Sequence, residues 1–140
     1  MAQVQVDAQE IVRSRLPAGG VLAREIMTSP PITIGQDCSV YELAGLLSKQ
    51  RISGVLVVDE QGELLGVATE ADVLNRPGDR VCEVMTTNVA YATEETPVDE
   101  IAGLFARHGV KRVPVLRDRQ PVGVVSRADI VRAIGQFGRS

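Results

Sequence analysis

The chain of 140 residues contains no Trp, two Tyr, two Phe, a single His and two Cys, and each scarcity removes a class of function. Only Tyr41, Tyr91, Phe105 and Phe137 are aromatic, which leaves no platform on which nucleobases could stack along a strand of RNA or DNA. One histidine, His108, supplies general acid-base chemistry poorly, and no GxSxG, HExxH, Walker A or His/Cys cluster accompanies it. No enzyme activity, catalytic cofactor or metal is therefore expected. Cys38 and Cys82 form no CxxC pair and read as ordinary reduced thiols. No run approaches the roughly 18 apolar residues of a membrane span, and the N-terminus lacks the apolar stretch of a signal peptide. A cytoplasmic protein without membrane association is expected. At this length one compact domain with one core is expected too.

Charge is present but unevenly spread. The net charge is −3, which disfavours a general nucleic-acid binder. Residues 1–106 carry 7 basic and 16 acidic side chains, whereas 107–140 carry 8 basic and 2 acidic ones. An anionic ligand is to be sought near the C-terminal third, where the alternative is a merely solvated basic face.

An internal repeat organises what remains. Shifting the chain by 58 residues lays EIMT (Glu25 to Thr28) over EVMT (Glu83 to Thr86), VYELAGL (Val40 to Leu46) over VDEIAGL (Val98 to Leu104), and VLVV (Val55 to Val58) over VPVL (Val113 to Leu116). The offset then falls to 57 and aligns GVATEAD (Gly66 to Asp72) with GVVSRAD (Gly123 to Asp129). The second copy has lost one residue in a turn, where loss is cheapest. The chain divides into an N-terminal extension (1–20), repeat one (21–75), a Pro/Gly linker (76–79), repeat two (80–135) and a short tail (136–140). In the extension, the segment from Val4 to Leu16 fits a short helix ended by Pro17 and Gly19.

Both copies read alike. Val40, Leu43, Ala44 and Leu47 recur at helical spacing, with Ser39 as cap and Glu42 three residues on. Val98, Ile101, Ala102 and Phe105 repeat the stripe, with Thr96 placed to cap, Asp99 three residues on and Pro97 at the first helical position. Strands follow at Gly54 to Asp59 and Arg112 to Arg117. After a short turn come Leu64 to Thr69 and Pro121 to Ser126, making hairpins. Second helices start near Ala71 and Ala128, and short extended segments precede the first helices at Pro31 to Ile34 and Val89 to Ala92. The unit is β-α-β-β-α. A unit of about 55 residues buries little surface alone, so two copies packed sheet against sheet with pseudo-twofold symmetry, leaving two related clefts, are expected in an α/β (α+β) fold.

These residues, over about 21–135, resemble a CBS-domain pair, or Bateman module. The carriers are EIMT and EVMT, the strands RISGVLVVD and VKRVPVL, and the closing GVATEAD and GVVSRAD. The resemblance implies a stand-alone ligand-sensing regulatory module that binds AMP, ADP, ATP or S-adenosylmethionine in its clefts. It also implies a homodimer formed through helices, with the stripes beginning at Val40 and Val98, which suit a core equally, and Val73, Leu74, Ile130, Val131 and Ile134 of the second helices as surface candidates, and a regulated protein as partner. Carried over residue by residue, the family motif Gly-h-x-Ser/Thr-x-x-Asp falls on Thr69 and Asp72 and on Ser126 and Asp129. Its carboxylate clamps the ribose hydroxyls and its hydroxyl helps hold ribose or phosphate. Adenine is implied against Ile32, Thr33 and Ile34 in one copy and Val89, Ala90 and Tyr91 in the other, with Ile52 and Val110 as apolar walls. Lys111 and Arg112, with His108 nearby, occupy positions where relatives place phosphate ligands, and Arg51 is the candidate in copy one. Leu56 departs from the pattern, since relatives commonly carry the Pro that copy two keeps as Pro114.

Structural alternatives stand beside each role. Ser/Thr-x-x-Asp is also a helix N-terminal capping box. His108 suits the negative end of a helix. Met27 and Met85 suit a core or interface. A ligand-independent dimerisation or adaptor module, with the N-terminal helix engaging a partner, is the competing function.

Overall fold

The structure is a computed structural model that describes residues 6–138. Val4 and the ends of the N-terminal extension and C-terminal tail lie outside the described residues. The secondary elements are α1 (Ala8–Arg15), α2 (Ala23–Ile26), β1 (Thr33–Gly35), α3 (Val40–Gln50), β2 (Gly54–Val58), β3 (Leu64–Thr69), α4 (Glu70–Asn75), α5 (Val81–Val84), β4 (Ala92–Thr93), α6 (Val98–His108), β5 (Arg112–Arg117), β6 (Gln120–Ser126) and α7 (Arg127–Phe137). They form two three-stranded sheets, ordered β1-β2-β3 and β4-β5-β6. The fold class is mixed α+β, built twice.

The register repeats as the sequence does. β1 pairs parallel with β2, Ile34 opposite Val57. β4 pairs parallel with β5, Ala92 opposite Val115, the same pairing 58 residues on. β2 and β3 form an antiparallel hairpin with Gly54 opposite Thr69 and an irregularity between Val57 and Val58. The turn at 59–63 is held by Asp59, whose Oδ1 accepts the N–H groups of Gln61 and Glu63, both at 2.9 Å. The second hairpin needs only Asp118 and Arg119 between its strands, with Asp118 at φ 58°. β5 runs one residue further than β2 and β6 starts one earlier than β3, and the remaining difference is the one missing residue.

Local chemistry explains the helices. Ser39 caps α3, its Oγ accepting the Glu42 N–H at 3.0 Å while Glu42 reaches back to the Ser39 N–H. α6 departs from expectation. Pro97 is its N-cap residue and lies outside the helix, and the Thr96 hydroxyl accepts the Thr93 N–H at 2.9 Å instead of capping. Asp99 turns to α1, accepting from Gln9 and Arg13. Two one-turn helices, α2 and α5, end in the first two residues of EIMT and EVMT. In each, the third-position Glu accepts the N–H of the preceding cap residue: Glu25 that of Leu22 at 2.6 Å, and Glu83 that of Arg80 at 3.1 Å.

The single core expected from length is in fact two, because the chain forms two compact units. One comprises 6–30, 90–117 and 122–138, the other 31–89 and 118–121. In the first, Leu16, Val21 and Ile26 pack with Ile101, Phe105, Val113, Val115 and Val125. In the second, Val81 and Val84 pack with Leu43, Leu47, Val55 and Val57. Each hairpin is therefore closed by the lead-in of the other repeat. Thr28 exchanges backbone hydrogen bonds with Val124 at 2.9 and 3.0 Å, and Thr86 with Val67 at 2.8 and 2.9 Å. The helix stripes from Val40 and Val98 face these cores. Of the second-helix surface candidates, Leu74 and Val131 are exposed, whereas Ile130 is buried and Val73 and Ile134 are half-buried.

Candidate functional site

At the end of β3, where the strand turns directly into α4, Thr69 and Asp72 complete a capping box. Thr69 Oγ1 accepts the Asp72 N–H at 3.2 Å, and Asp72 Oδ2 accepts the Thr69 N–H at 2.9 Å and its hydroxyl at 3.1 Å. The carboxylate is only 6% exposed, and its Oδ1 faces Arg76 Nε at 3.4 Å. At the end of β6 the arrangement recurs. Asp129 Oδ2 accepts the Ser126 N–H at 2.8 Å and hydroxyl at 3.1 Å, and Ser126 Oγ accepts the Asp129 N–H at 3.3 Å. Asp129 is 3% exposed, and Oδ1 accepts from Thr28 Oγ1 at 3.2 Å and from Arg132 Nη2. A buried carboxylate is stable only when so satisfied.

Strand register gathers some of the sequence candidates. Gly54 lies opposite Thr69, and the Ser53 carbonyl accepts the Glu70 N–H at 2.9 Å, so Ile52 enters the sheet at the end where Asp72 sits. β1, the edge strand, starts at that end too, with Thr33 opposite Leu56. An edge strand turns alternate N–H and C=O groups away from its neighbour. Ile32 and Thr33 are exposed there. The Ile34 side chain is in the core, so at that position only the backbone can meet a ligand. In the other unit the Lys111 carbonyl accepts the Arg127 N–H at 3.3 Å, placing exposed Lys111 and half-buried Arg112 beside Ser126. Half-buried Ala90 and exposed Tyr91 lead into edge strand β4, and half-buried Val110 packs on the core. Half-buried Val89 ends the other unit.

Two basic candidates stand at helix ends. Arg51 is the left-handed C-cap of α3, at φ 55° and exposed, where α6 has Gly109 at φ 62°. His108 is exposed in the last turn of α6, the position that suits the helix dipole. Sequence reasoning missed Thr28, Arg76 and Arg132, the partners of the two carboxylates. The arginines carried a signal, lying four and three residues after their Asp on a helix. Thr28 carried only its place in the repeated Met-Thr.

A cavity of about 320 Å³ opens at the opposite end of the β1-β2 pair, lined by Gln36, Asp37, Cys38, Glu42, Val58, Asp59 and Glu60. Its carboxylates repel a phosphate, and burial together with the Glu42 charge pushes the Cys38 thiol above its usual value. Among the described residues no three His, Cys, Asp or Glu side chains are grouped to hold a metal, and no helix is long and apolar enough to cross a membrane.

Comparison with known proteins agrees with the duplicated geometry. L-aspartate semialdehyde sulfurtransferase of Methanocaldococcus jannaschii is 37% identical over 118 residues, 81% of this chain; the chain spans 23% of that enzyme's length. The crystallised CBS domain pair of protein MJ0100, in complex with 5′-methylthioadenosine and S-adenosyl-L-methionine, is 36% identical with a TM-score of 0.75, covering 84% of this chain and 98% of that one. The crystal structure of CBSX2 in complex with AMP shares the fold at 24% identity, with a TM-score of 0.80 and coverage of 84% and 98%. The family model for the CBS domain matches twice, at residues 23–79 and 81–136, and the chain belongs to the CBS-domain family.

Proposed function

We propose that this chain is a ligand-sensing regulatory module that binds an adenosine-containing molecule and carries no catalytic activity of its own. The observation that carries the reading is the duplicated buried carboxylate, Asp72 and Asp129, each fixed by a Thr or Ser where a hairpin strand becomes a helix. An ionised carboxylate so placed accepts both hydroxyls of a ribose. Thr69 and Ser126 then hold ribose or phosphate, and the backbones of 32–34 and 89–91 meet the adenine against Ile52 and Val110. Lys111 and Arg112 bind a charged tail in the second repeat, and Arg51 in the first. S-adenosylmethionine or 5′-methylthioadenosine draws support from the complex at 36% identity, and AMP, ADP and ATP share the same ribose and base. Occupancy regulates by favouring whichever arrangement binds the ligand more tightly. The chain acts as a homodimer through α4 and α7, whose repeat-equivalent Leu74 and Val131 are 81% and 68% exposed.

A second reading has one observation in its favour: both carboxylates are already hydrogen-bonded within the protein, as a purely structural cap would be. Thermal unfolding of protein stripped of bound nucleotide separates the two. At 100 times its dissociation constant a ligand of the native state adds about 2.7 kcal/mol of stability. A selective upward shift with one adenosyl compound, lost in Asp72→Ala or Asp129→Ala, is expected. No shift with any of them, in folded protein, assigns the chain to the ligand-independent adaptor reading.

A further inference from the structure

The two carboxylates are not equally free to take a ligand. A carboxylate offers about four lone-pair directions, and Asp129 has all four engaged: Ser126 N–H and Oγ on Oδ2, Thr28 Oγ1 and Arg132 Nη2 on Oδ1. A ribose that donates two hydrogen bonds must displace a donor. The Ser126 pair is part of the cap of α7, and Thr28 is anchored by its backbone exchange with Val124. Arg132 has no such anchor; its side chain is 61% exposed on the first turns of α7. It is the donor that can leave. At Asp72 the situation differs, because Arg76 stands off at 3.4 Å and its Nη1 is tied to the Met85 carbonyl at 3.1 Å.

We propose that Arg132 is a specificity-determining residue of the second repeat, an internal counter-ion of Asp129 that a ribose displaces and that selects ligands bearing an anionic group next to the sugar. This rests on the ribose-clamp reading of Asp129. The released guanidinium stays tethered to α7 within three residues of the carboxylate. A neutral nucleoside takes Asp129 from Arg132 and returns nothing. A nucleotide phosphate replaces the lost carboxylate with a bidentate anion, the geometry that guanidinium prefers. Discrimination thus comes from a penalty on the neutral competitor as well as from a contact with the right ligand.

The test is calorimetric titration of nucleotide-free protein with AMP and with 5′-methylthioadenosine, which share base and ribose and differ in the charge of the 5′ group. Wild type is expected to prefer AMP at least tenfold. Arg132→Gln, on an exposed helix surface, is expected to cut that preference at least fivefold, mainly by tightening 5′-methylthioadenosine. Arg132→Lys, which keeps the charge, is expected to retain most of it. Thr28→Val removes the uncharged Oδ1 donor and is expected to change both affinities by the same factor. An unchanged preference in Arg132→Gln, or a loss of preference in Thr28→Val as large as that in Arg132→Gln, overturns the proposal while leaving a nucleotide site in place. Binding of neither compound by folded wild type overturns the clamp reading itself and this proposal with it.

Discussion

A methyl group added to Gly66 would lie 2.4 Å from the carbonyl oxygen of Thr86, and one added to Gly123 would lie 2.6 Å from the thioether of Met27. The two glycines open the matching GVATEAD and GVVSRAD segments because each lets the other repeat's lead-in cross its hairpin, and in both copies the lead-in is hydrogen-bonded one residue further along, at Val67 and Val124. The sequence displayed the glycines as a pattern; the reason for them is a contact between segments some 20 and some 95 residues apart, which no local rule reaches. The obstacles differ in kind. A backbone carbonyl fixed by the ladder cannot move aside, whereas a methionine has three rotatable bonds and repacks. Gly66→Ala is accordingly expected to lower stability by about 1–3 kcal/mol in denaturant titration, and Gly123→Ala by less. An equal loss in the two variants would contradict this account of the crossing.

Among the elements, those with their own periodicity were legible and those made by tertiary contact were not. β5 and β3 begin and end where alternation and turn residues place them, and α3 starts at its Ser39 cap. The one-turn helices α2 and α5 lack the length for any helical stripe; the buried faces of Ala23, Ile26, Val81 and Val84 and backbone hydrogen bonds to distant segments, Ala23 N–H to the Thr96 carbonyl and Val81 N–H to the Cys38 carbonyl, hold them in place. Thr96 failed as a cap because its hydroxyl is spent within the loop on Thr93. That loop also carries an ion pair that joins β4 to β5: Arg117 donates two hydrogen bonds to Glu94, at 2.8 and 2.9 Å, while the Glu94 carbonyl accepts the Arg24 N–H of the lead-in at 3.0 Å. Hydrogen bonding to Arg117 lowers the Glu94 carboxyl below its usual 4.5. A lowered native value means that the pair stabilises the fold above the unfolded carboxyl's titration and is lost as pH falls through the native one. Glu94→Gln should therefore melt below wild type at pH 7, with the gap closing as pH drops beneath about 4.5. A gap that persists at pH 3 would show that the side chain stabilises by something other than its charge.

At the scale of the whole molecule, sequence repeats and folding units are cut at different places. The repeats were legible as a shift of 58 residues, and so was the pairing of Thr69 with Asp72 and of Ser126 with Asp129 in the candidate site, because these residues belong to the repeated motif itself. The donors that satisfy those carboxylates were not, since Thr28 and Asp129 stand 101 positions apart. A cut at Gly78 separates the two copies of the motif but also divides both cores. The N-terminal piece would lose Val81 and Val84, both fully buried against Leu43 and Val57. The C-terminal piece would lose Leu16, Val21, Ala23 and Ile26 from around Ile101 and Val113. Truncation of one large buried aliphatic side chain costs about 2–5 kcal/mol, and whole-domain stability is about 5–15 kcal/mol. Neither fragment, 1–78 or 79–140, is therefore expected to unfold cooperatively alone. Each nevertheless retains what the other lacks, so mixing the two at equal concentration should restore a cooperative transition whose midpoint rises with protein concentration. A sharp, concentration-independent transition in an isolated fragment would mean that a repeat completes its own core and that the lead-in contacts at Thr28 and Thr86 are dispensable.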